Sequence, residues 1–395
     1  MWDFWNRSDC RTVRLWAALL LVGVLAGMGF VLSGLLAESA RLMGILWPDA
    51  EDAFLVEGDS MLPHFSGGAF CETCPTCGFR GLFPQEGAGV CPNCGWITSE
   101  KERWTEMFAK KVQRVQQFDT LRPVAGPWQR DDCVCFTGQD GETYLKRIAA
   151  LPGEMLELRD GKRFINGQRP VRELEKLRQT GILVHDDRFP PNGISRWKQT
   201  AAAEWIYEHE NGRLTAENSI VRCLLTPAPI TNALSQNGTQ MRSDQTFVMR
   251  ELTLDVEIHY HAGDGLLQVE LPSDEGTTRF SLTASQLRET ADWTFTTRDG
   301  VPRVWRNDKP IACPCQTEKQ ASPPRIRLTG TLDVETADKI LTRDEYILVR
   351  NNHLPPILCT GFFFLGDNTL VSRDSRFWGP VSLTPGEGAH KVIRE

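Results

Sequence analysis

The stretch from Leu15 to Ala37 constrains this chain most, because it holds 23 consecutive residues without a charged side chain. At about 1.5 Å per residue, a helix of that length spans roughly 34 Å, enough to cross a hydrocarbon core of about 30 Å. We therefore predict a transmembrane helix over 15–37. A cleaved signal peptide is the alternative, but its apolar stretch is normally about 7–15 residues, and Ala37-Glu38-Ser39-Ala40 is a poor cleavage site.

Arginine residues around this run predict its orientation. Arg7, Arg11 and Arg14 precede it, whereas only Arg41 follows closely, among acidic residues. The positive-inside rule then places residues 1–14 in the cytoplasm and everything after about residue 38 outside. No second uncharged run approaches 18 residues, so we predict a single-pass protein.

Length and charge limit the classes of function. A chain of 395 residues is expected to form two to three domains, because single cores rarely outgrow about 250–300 residues. A net charge of −7 argues against nucleic acid as a partner, since gripping phosphates needs clustered cations.

Beyond the predicted anchor, apolar and polar residues alternate as in strands. Leu252 to Tyr260 follow this period of two, Gly263-Asp264-Gly265 offers a turn, and Leu267, Val269 and Leu271 continue the pattern. We interpret the two runs as a β-hairpin, and the continuing alternation as an inserted β-sandwich over about 215–340. The segment 100–118 fits either a helix or, over 110–118, a strand.

Three separated stretches and one weaker one stand in a characteristic order: Val56–Pro63, Asp131–Phe136, Tyr144–Glu154 and Gly366–Gly379. Together they resemble the sequence boxes of bacterial type I signal peptidases. The predicted N-terminal anchor followed by an outward domain also resembles that family. The resemblance covers the anchor and about 52–66, 110–168 and 345–385, and leaves two insertions outside it.

The resemblance implies a fold class, mainly β, with an all-β catalytic domain behind a transmembrane helix. It divides the chain into a catalytic domain over 50–70, 97–168 and 345–395, a ribbon insertion over 71–96, and an insertion over 169–344 that contains the sandwich. It implies a serine endopeptidase in the bacterial cytoplasmic (inner) membrane, with its catalytic domain extracytoplasmic. Its partners would be exported preproteins, cleaved after small residues, and the lipid bilayer.

In that family a serine acts as nucleophile and a lysine as general base, and these roles map to Ser60 and Lys146. A serine hydroxyl is a weak nucleophile until a neighbouring base takes its proton. On a strand over 143–148, Lys146 would share a face with Tyr144 and Ile148, and burial would favour its neutral form. A lone lysine is otherwise an ordinary strand residue, and no cofactor is needed for this catalysis.

Other site residues are implied by position. Ser372 would support the lysine, while Asp374 and Arg376 would brace the site as a charge pair. Val56 and Leu145 would line shallow pockets for small substrate side chains, or serve simply as core residues. The chain departs from common family patterns at three points, listed here: Gly58, which cannot supply a hydroxyl to an oxyanion, His64 and Thr369.

The two motifs Cys74-Pro-Thr-Cys77-Gly and Cys91-Pro-Asn-Cys94-Gly are separated by 13 residues. Four thiolates at this spacing can surround one tetrahedral Zn²⁺, so we predict a structural zinc ribbon. Two disulfides, favoured by an oxidising extracytoplasmic space, are the alternative, and Cys71 could compete as a ligand.

Two other functions fit the same sequence. One is a non-catalytic membrane receptor or scaffold that binds protein or glycan through the ribbon and the sandwich. The other is a related Ser–Lys protease with a single dedicated client. The presence of both Ser60 and Lys146 favours catalysis over the receptor.

Overall fold

The computed structural model describes residues 53–83, 89–98, 115–194, 196–200, 207–208, 213–215, 220–224, 230 and 247–394. The first strands are β1 (Phe54–Leu55), β2 (Gly67–Thr73), β3 (Arg80–Phe83), β4 (Gly89–Val90), β5 (Ile97–Thr98), β6 (Val115–Phe118), β7 (Thr120–Pro123), β8 (Cys133–Thr137), β9 (Thr143–Ala150), β10 (Met155–Arg159) and β11 (Lys162–Ile165). They are followed by α1 (Leu174–Gln179), β12 (Ile182–Asp186), β13 (Trp197–Thr200), β14 (Tyr207–Glu208), β15 (Arg213–Thr215), β16 (Ile220–Leu224), β17 (Leu252–Ala262), β18 (Gly265–Ser273) and β19 (Gly276–Thr283).

The remaining elements are α2 (Ala284–Leu287), β20 (Ala291–Thr296), β21 (Arg303–Arg306), β22 (Lys309–Ile311), β23 (Cys315–Glu318), β24 (Arg325–Gly330), β25 (Asp333–Arg343), β26 (His353–Leu358), β27 (Phe363–Leu365), α3 (Ser375–Trp378) and β28 (Ala389–Arg394). The residues from Leu55 onward cluster into one compact unit. The described part of the chain is mainly β, which confirms the predicted class. No helix in it is long and apolar enough to cross a membrane, and the predicted segment 15–37 lies outside the described residues.

The segments that resemble signal peptidases form two sheets. A six-stranded sheet has the order β1-β7-β28-β8-β9-β27, and a three-stranded sheet has the order β11-β10-β26. Buried apolar side chains from both sheets form one cluster. It includes Ala149 and Ala150 of β9, Leu156 and Leu158 of β10, and Phe363 of β27. This core fixes β9, which carries Lys146, against the rest of the domain.

The first insertion forms small sheets together with the strands that flank it. Strands β3, β2 and β6 pair in that order, and β4 pairs with β5. The segment 100–118, which fits either a helix or a strand in the sequence, is described only from residue 115 onward. Its last four residues form β6, and residues 99–114 lie outside the described residues.

The second insertion contains two sheets that share one apolar core. One follows the order β14-β15-β25-β17-β20-β21-β22, with β12 also paired to β25, and the other follows β13-β16-β24-β18-β19-β23. Buried side chains from both sheets meet in a single cluster, including Leu254, Trp293 and Phe295 from the first and Leu267 and Phe280 from the second. The strands of these sheets begin at Ile182, ahead of the predicted start near residue 215.

The predicted hairpin between β17 and β18 is wrong. Strand β17 pairs with β20 and β25, whereas β18 pairs with β19 and β24, so the two runs lie in opposite sheets. Gly263 and Gly265 turn the chain from one sheet to the other, both with positive φ. A Cβ at either position would come within 2.0 Å of a backbone oxygen of Thr331 or Thr329, so only glycine fits.

A buried ion-pair cluster holds the beginning and the end of the second insertion together. Asp344, which precedes the last catalytic strands, accepts hydrogen bonds from Arg172 at 2.7 Å and from Arg298 at 2.9 Å. Arg172 also binds Asp299, in the turn before β21. Burial opposes the charge of Arg172, but these carboxylates outweigh it and hold the pKa of Arg172 well above its usual value. The two ends of the insertion are therefore fixed next to each other.

Candidate active site

Ser60 and Lys146 lie side by side although 86 residues separate them. Ser60 lies in the loop between β1 and β2, and Lys146 lies in β9 with only 3% of its surface exposed. Lys146 Nζ is 2.9 Å from Ser60 Oγ and donates to the carbonyl oxygen of Leu145 at 3.0 Å. A proton can pass directly between the hydroxyl and the amine at this distance.

The environment of Lys146 favours its neutral form. Burial lowers the pKa of Lys146 from its usual 10.5 to about 8. The negative charges of Asp374 and Asp367 limit this shift, and the positive charge of Arg376 adds to it. At pH 7, one unit below this pKa, about a tenth of Lys146 is therefore unprotonated and able to accept a proton, and this fraction rises with pH.

The loop that carries Ser60 is held from two sides. Asn368 donates its backbone N–H to the carbonyl oxygen of Ser60 and its side-chain amide to that of Asp59, both at 3.0 Å. Gly58 has a φ of +75° and donates to the carbonyl oxygen of Gly67 at 2.9 Å. The Ser60 N–H has no hydrogen-bond partner within the described residues.

Gly366 allows the last sequence box to approach the loop that carries Ser60. A Cβ at Gly366 would lie 2.6 Å from the carbonyl oxygen of Ser60 and 2.1 Å from Ser372 Oγ. Any larger residue would push these segments apart. Ser372 is buried beside Gly366, but its hydroxyl has no hydrogen-bond partner in the described part of the chain. The expected hydrogen bond from Ser372 to Lys146 is therefore not formed in this structure.

Asp374 and Arg376 fold the last sequence box. Arg376 Nε donates to Asp374 Oδ1 at 2.7 Å, and Asp374 Oδ2 accepts from the backbone N–H of Gly366 at 3.0 Å. The Arg376 guanidinium also donates to the carbonyl oxygens of Thr369 at 2.9 Å and Ser372 at 3.1 Å. The pair thus organises the backbone around Gly366, and α3 begins directly after Asp374.

Arg147 and Asp367 form a buried pair whose roles the sequence did not assign. Arg147 Nε and Nη2 donate to the two oxygens of Asp367 at 2.7 and 2.5 Å. Burial favours the protonated carboxyl, but Arg147 outweighs it and holds the pKa of Asp367 well below its usual range. The motif Gly366-Asp367-Asn368 is the sequence signal that could have identified Asp367 and Asn368, because the two residues that follow Gly366 both hold this site in place.

Two aromatic rings lie near the pair Ser60 and Lys146, which we call the dyad, and two apolar residues lie near it in the sequence. The ring centroid of Tyr144 lies 5.7 Å from Lys146 Nζ and 5.0 Å from the ring of Trp378. Val56 is buried in the segment before Ser60, and Leu145 is half-buried in β9. Their assignment to substrate pockets stays a prediction.

The four cysteines of the two Cys-Pro-x-Cys motifs come together at a second site. Their sulfur atoms all lie within 4.8 Å of one another, with Cys74 and Cys94 3.6 Å apart and Cys77 and Cys91 3.7 Å apart. Four sulfurs about 2.3 Å from a tetrahedral Zn²⁺ would be roughly 3.8 Å apart, so the spacing fits this metal. No two cysteines in the described ranges form a disulfide, and Cys71 instead accepts from Arg80 at 3.1 Å.

Residues around the four cysteines contact the second insertion. Asn93, between two of the cysteines, donates to the carbonyl oxygen of Phe189 at 2.8 Å and accepts from the backbone N–H of Asp186 at 2.6 Å. Phe79 packs edge-on against Phe189 with the ring centroids 5.5 Å apart. A metal bound here would therefore stabilise both the ribbon and the segment after β12.

Comparison with known proteins agrees with this site. Residues 98–202 match the family model for signal peptidase, peptidase S26. The match includes Lys146 and stops short of Ser60 and of the last sequence box. It supports a serine peptidase of the signal peptidase type. No curated protein matches the chain.

Proposed function

We propose that the chain is a membrane-anchored type I signal peptidase that uses Ser60 as nucleophile and Lys146 as general base. The observation that carries this proposal is the 2.9 Å contact between Lys146 Nζ and Ser60 Oγ in a buried site. The match of residues 98–202 to the signal peptidase family model supports the same reaction class.

The reaction begins when Ser60 Oγ attacks the scissile carbonyl carbon of a preprotein and its proton moves to Lys146 Nζ. Collapse of the tetrahedral intermediate breaks the peptide bond, and Lys146 returns the proton to the departing amine. Lys146 then takes a proton from a water molecule, which hydrolyses the acyl-enzyme and releases the signal peptide. One base therefore serves both half-reactions.

The oxyanion of each intermediate needs hydrogen-bond donors. The Ser60 N–H is available for this role, because it has no partner within the described residues. Gly58 has no hydroxyl to add, so a second donor would come from another group. An oxyanion-hole donor typically contributes about 10²–10³ in rate.

The substrates would be exported preproteins with small residues before the cleaved bond, for which Leu145, next to Lys146 in the chain, and the buried Val56, four residues before Ser60, would line the pockets. The anchor over 15–37 would keep the enzyme in the cytoplasmic membrane of a bacterium, with the catalytic domain outside. An epitope at the N-terminus should survive external protease in spheroplasts, while the second insertion should be digested.

The four cysteines would hold a structural zinc ion. Four thiolates fill the tetrahedral coordination of zinc and leave no position for an activated water. The ribbon would thus stabilise the fold, and Ser60 with Lys146 would supply the chemistry.

The proposed function is tested by cleavage of a purified preprotein. Ser60→Ala and Lys146→Ala should each abolish processing, while Ser382→Ala, at an exposed serine, should process at the wild-type rate. Equal processing by all three variants would refute a Ser60–Lys146 peptidase and would favour the receptor or scaffold.

A further inference from the structure

His64 is a titratable residue close to the dyad that the reaction described above does not use. It follows Pro63 in the loop that carries Ser60, and 15% of its side chain is exposed. Its Nδ1 lies 2.9 Å from Asp367 Oδ2, an ion-pair contact outside hydrogen-bond alignment. Its Nε2 lies 3.2 Å from the carbonyl oxygen of Gly181. The ring therefore bridges the catalytic segment and the second insertion.

The Asp367 side of this bridge reaches the dyad. Asp367 is clamped by both ends of the Arg147 guanidinium, and Arg147 is the neighbour of Lys146 in β9. Asn368, the next residue, binds the carbonyl oxygens of Asp59 and Ser60. A shift of His64 would therefore displace the backbone of Ser60, the proposed nucleophile.

The Gly181 side of the bridge is rigid. Gly181 follows α1 and donates to the carbonyl oxygen of Arg178 at 3.2 Å. A Cβ there would meet Leu177 and Thr342 at 3.2 and 3.3 Å, so the residue is tightly packed. Arg298 binds the carbonyl oxygen of Leu177 at 2.8 Å and thereby fixes the end of α1 to the insertion.

Both oxygens that face the ring can only accept hydrogen bonds. The two ring nitrogens of His64 face these two oxygens, and a nitrogen that carries a proton can donate to the oxygen it faces. His64 is thereby suited to hold two negative or dipolar groups at once.

We propose that His64 is a positioning residue, which holds the nucleophile loop between Asp367 and the carbonyl oxygen of Gly181. It acts through the backbone of Ser60 and does not touch the substrate. The inference rests on the proposed Ser60–Lys146 chemistry and adds a mechanical link from the second insertion to that site.

The test compares His64→Ala and His64→Asn with His353→Ala, a change at an exposed histidine of β26. Loss of the bridge should lower kcat by about tenfold to a hundredfold and leave KM within about twofold, because misplacing a reacting group mainly affects the chemical step. His64→Asn should regain only part of kcat, since its amide can take the place of Nδ1 beside Asp367 but is too short to reach Gly181. His353→Ala should behave as wild type.

Hydrogen exchange gives a second readout that does not depend on catalysis. The backbone amides of Leu62 and Phe65, bonded within the loop, should exchange faster in His64→Ala than in wild type. Wild-type kcat and wild-type exchange in His64→Ala would overturn the inference. The inference would also be overturned if His64→Ala lost both kcat and global stability and His64→Asn regained no kcat. His64 would then only support the fold.

The exchange experiment also separates this inference from the proposed function. Full activity in Ser60→Ala would refute the proposed chemistry alone. Faster loop exchange in His64→Ala would then still support the positioning role, and unchanged exchange would refute it.

Discussion

Replacing Lys146 with methionine should abolish processing and stabilise the folded protein at neutral pH. Methionine has a similar length and needs no solvation in the buried site. Because burial lowers the pKa of Lys146 from 10.5 to about 8, the folded state disfavours its ammonium form by about 3 kcal/mol. The hydrogen bonds to Ser60 and Leu145, worth about 1 kcal/mol each, offset part of this cost.

The sign of the pH dependence follows from where the protons are bound. Between pH 8 and 10.5 the unfolded chain keeps the lysine proton while the folded chain has lost it, so wild-type stability rises with pH across this window. Lys146→Met lacks that rise. The stability advantage of Lys146→Met over wild type should therefore shrink by about 3 kcal/mol from pH 7 to pH 10.5.

The assay is the free energy of unfolding from urea titrations of both proteins at pH 7, 8.5 and 10. Lys309→Met, at an exposed lysine in β22, is the matched control and should follow the wild-type pH dependence. If the difference in free energy of unfolding between Lys146→Met and wild type stays constant with pH, the reasoning is refuted. Burial would then not disfavour the charged form of Lys146.

Three further predictions concern the dyad, the last sequence box and the cysteine centre. Lys146→Arg should be inactive in the preprotein assay at every pH, because a guanidinium does not deprotonate, and a working variant would exclude a lysine base. Asp374→Asn should cost roughly 3 kcal/mol of stability in denaturant titrations and reduce kcat, because it leaves the buried Arg376 unpaired; a neutral substitution would contradict the bracing role. Cys77→Ser and Cys94→Ser should each lose about one equivalent of zinc by elemental analysis and slow, without abolishing, acylation of Ser60. Metal-free native protein with intact disulfides would contradict the ribbon.

The local patterns of the sequence predicted the parts of the site that lie close together in the chain. The strand supposed over 143–148 corresponds to β9, in which Lys146 is buried. The two Cys-Pro-x-Cys motifs identified the four cysteines whose sulfur atoms converge. The fixed spacing within each motif carries this information, since a strand or a knuckle positions its own residues without help from the rest of the fold.

Long-range pairing could not be predicted in the same way. Alternation identified strands at β17 and β18 but not their partners, because both bury one face completely and either sheet satisfies that pattern. Arg147 and Asp367 lie 220 residues apart, and only the pairing of β27 with β9 brings them together. The role expected of Ser372 depends on the direction of one hydroxyl, which no sequence pattern specifies.

The most direct test of the Ser60–Lys146 mechanism is to trap the acyl-enzyme. The full-length protein is treated with a peptide-based or β-lactam-type acylating inhibitor, and the modified residue is mapped by mass spectrometry at several pH values. We predict a single adduct at Ser60 whose formation rate rises with pH through about 8, as Lys146 loses its proton, and which is absent in Lys146→Ala. An adduct at another residue, or undiminished labelling of Ser60 in Lys146→Ala, would contradict the mechanism.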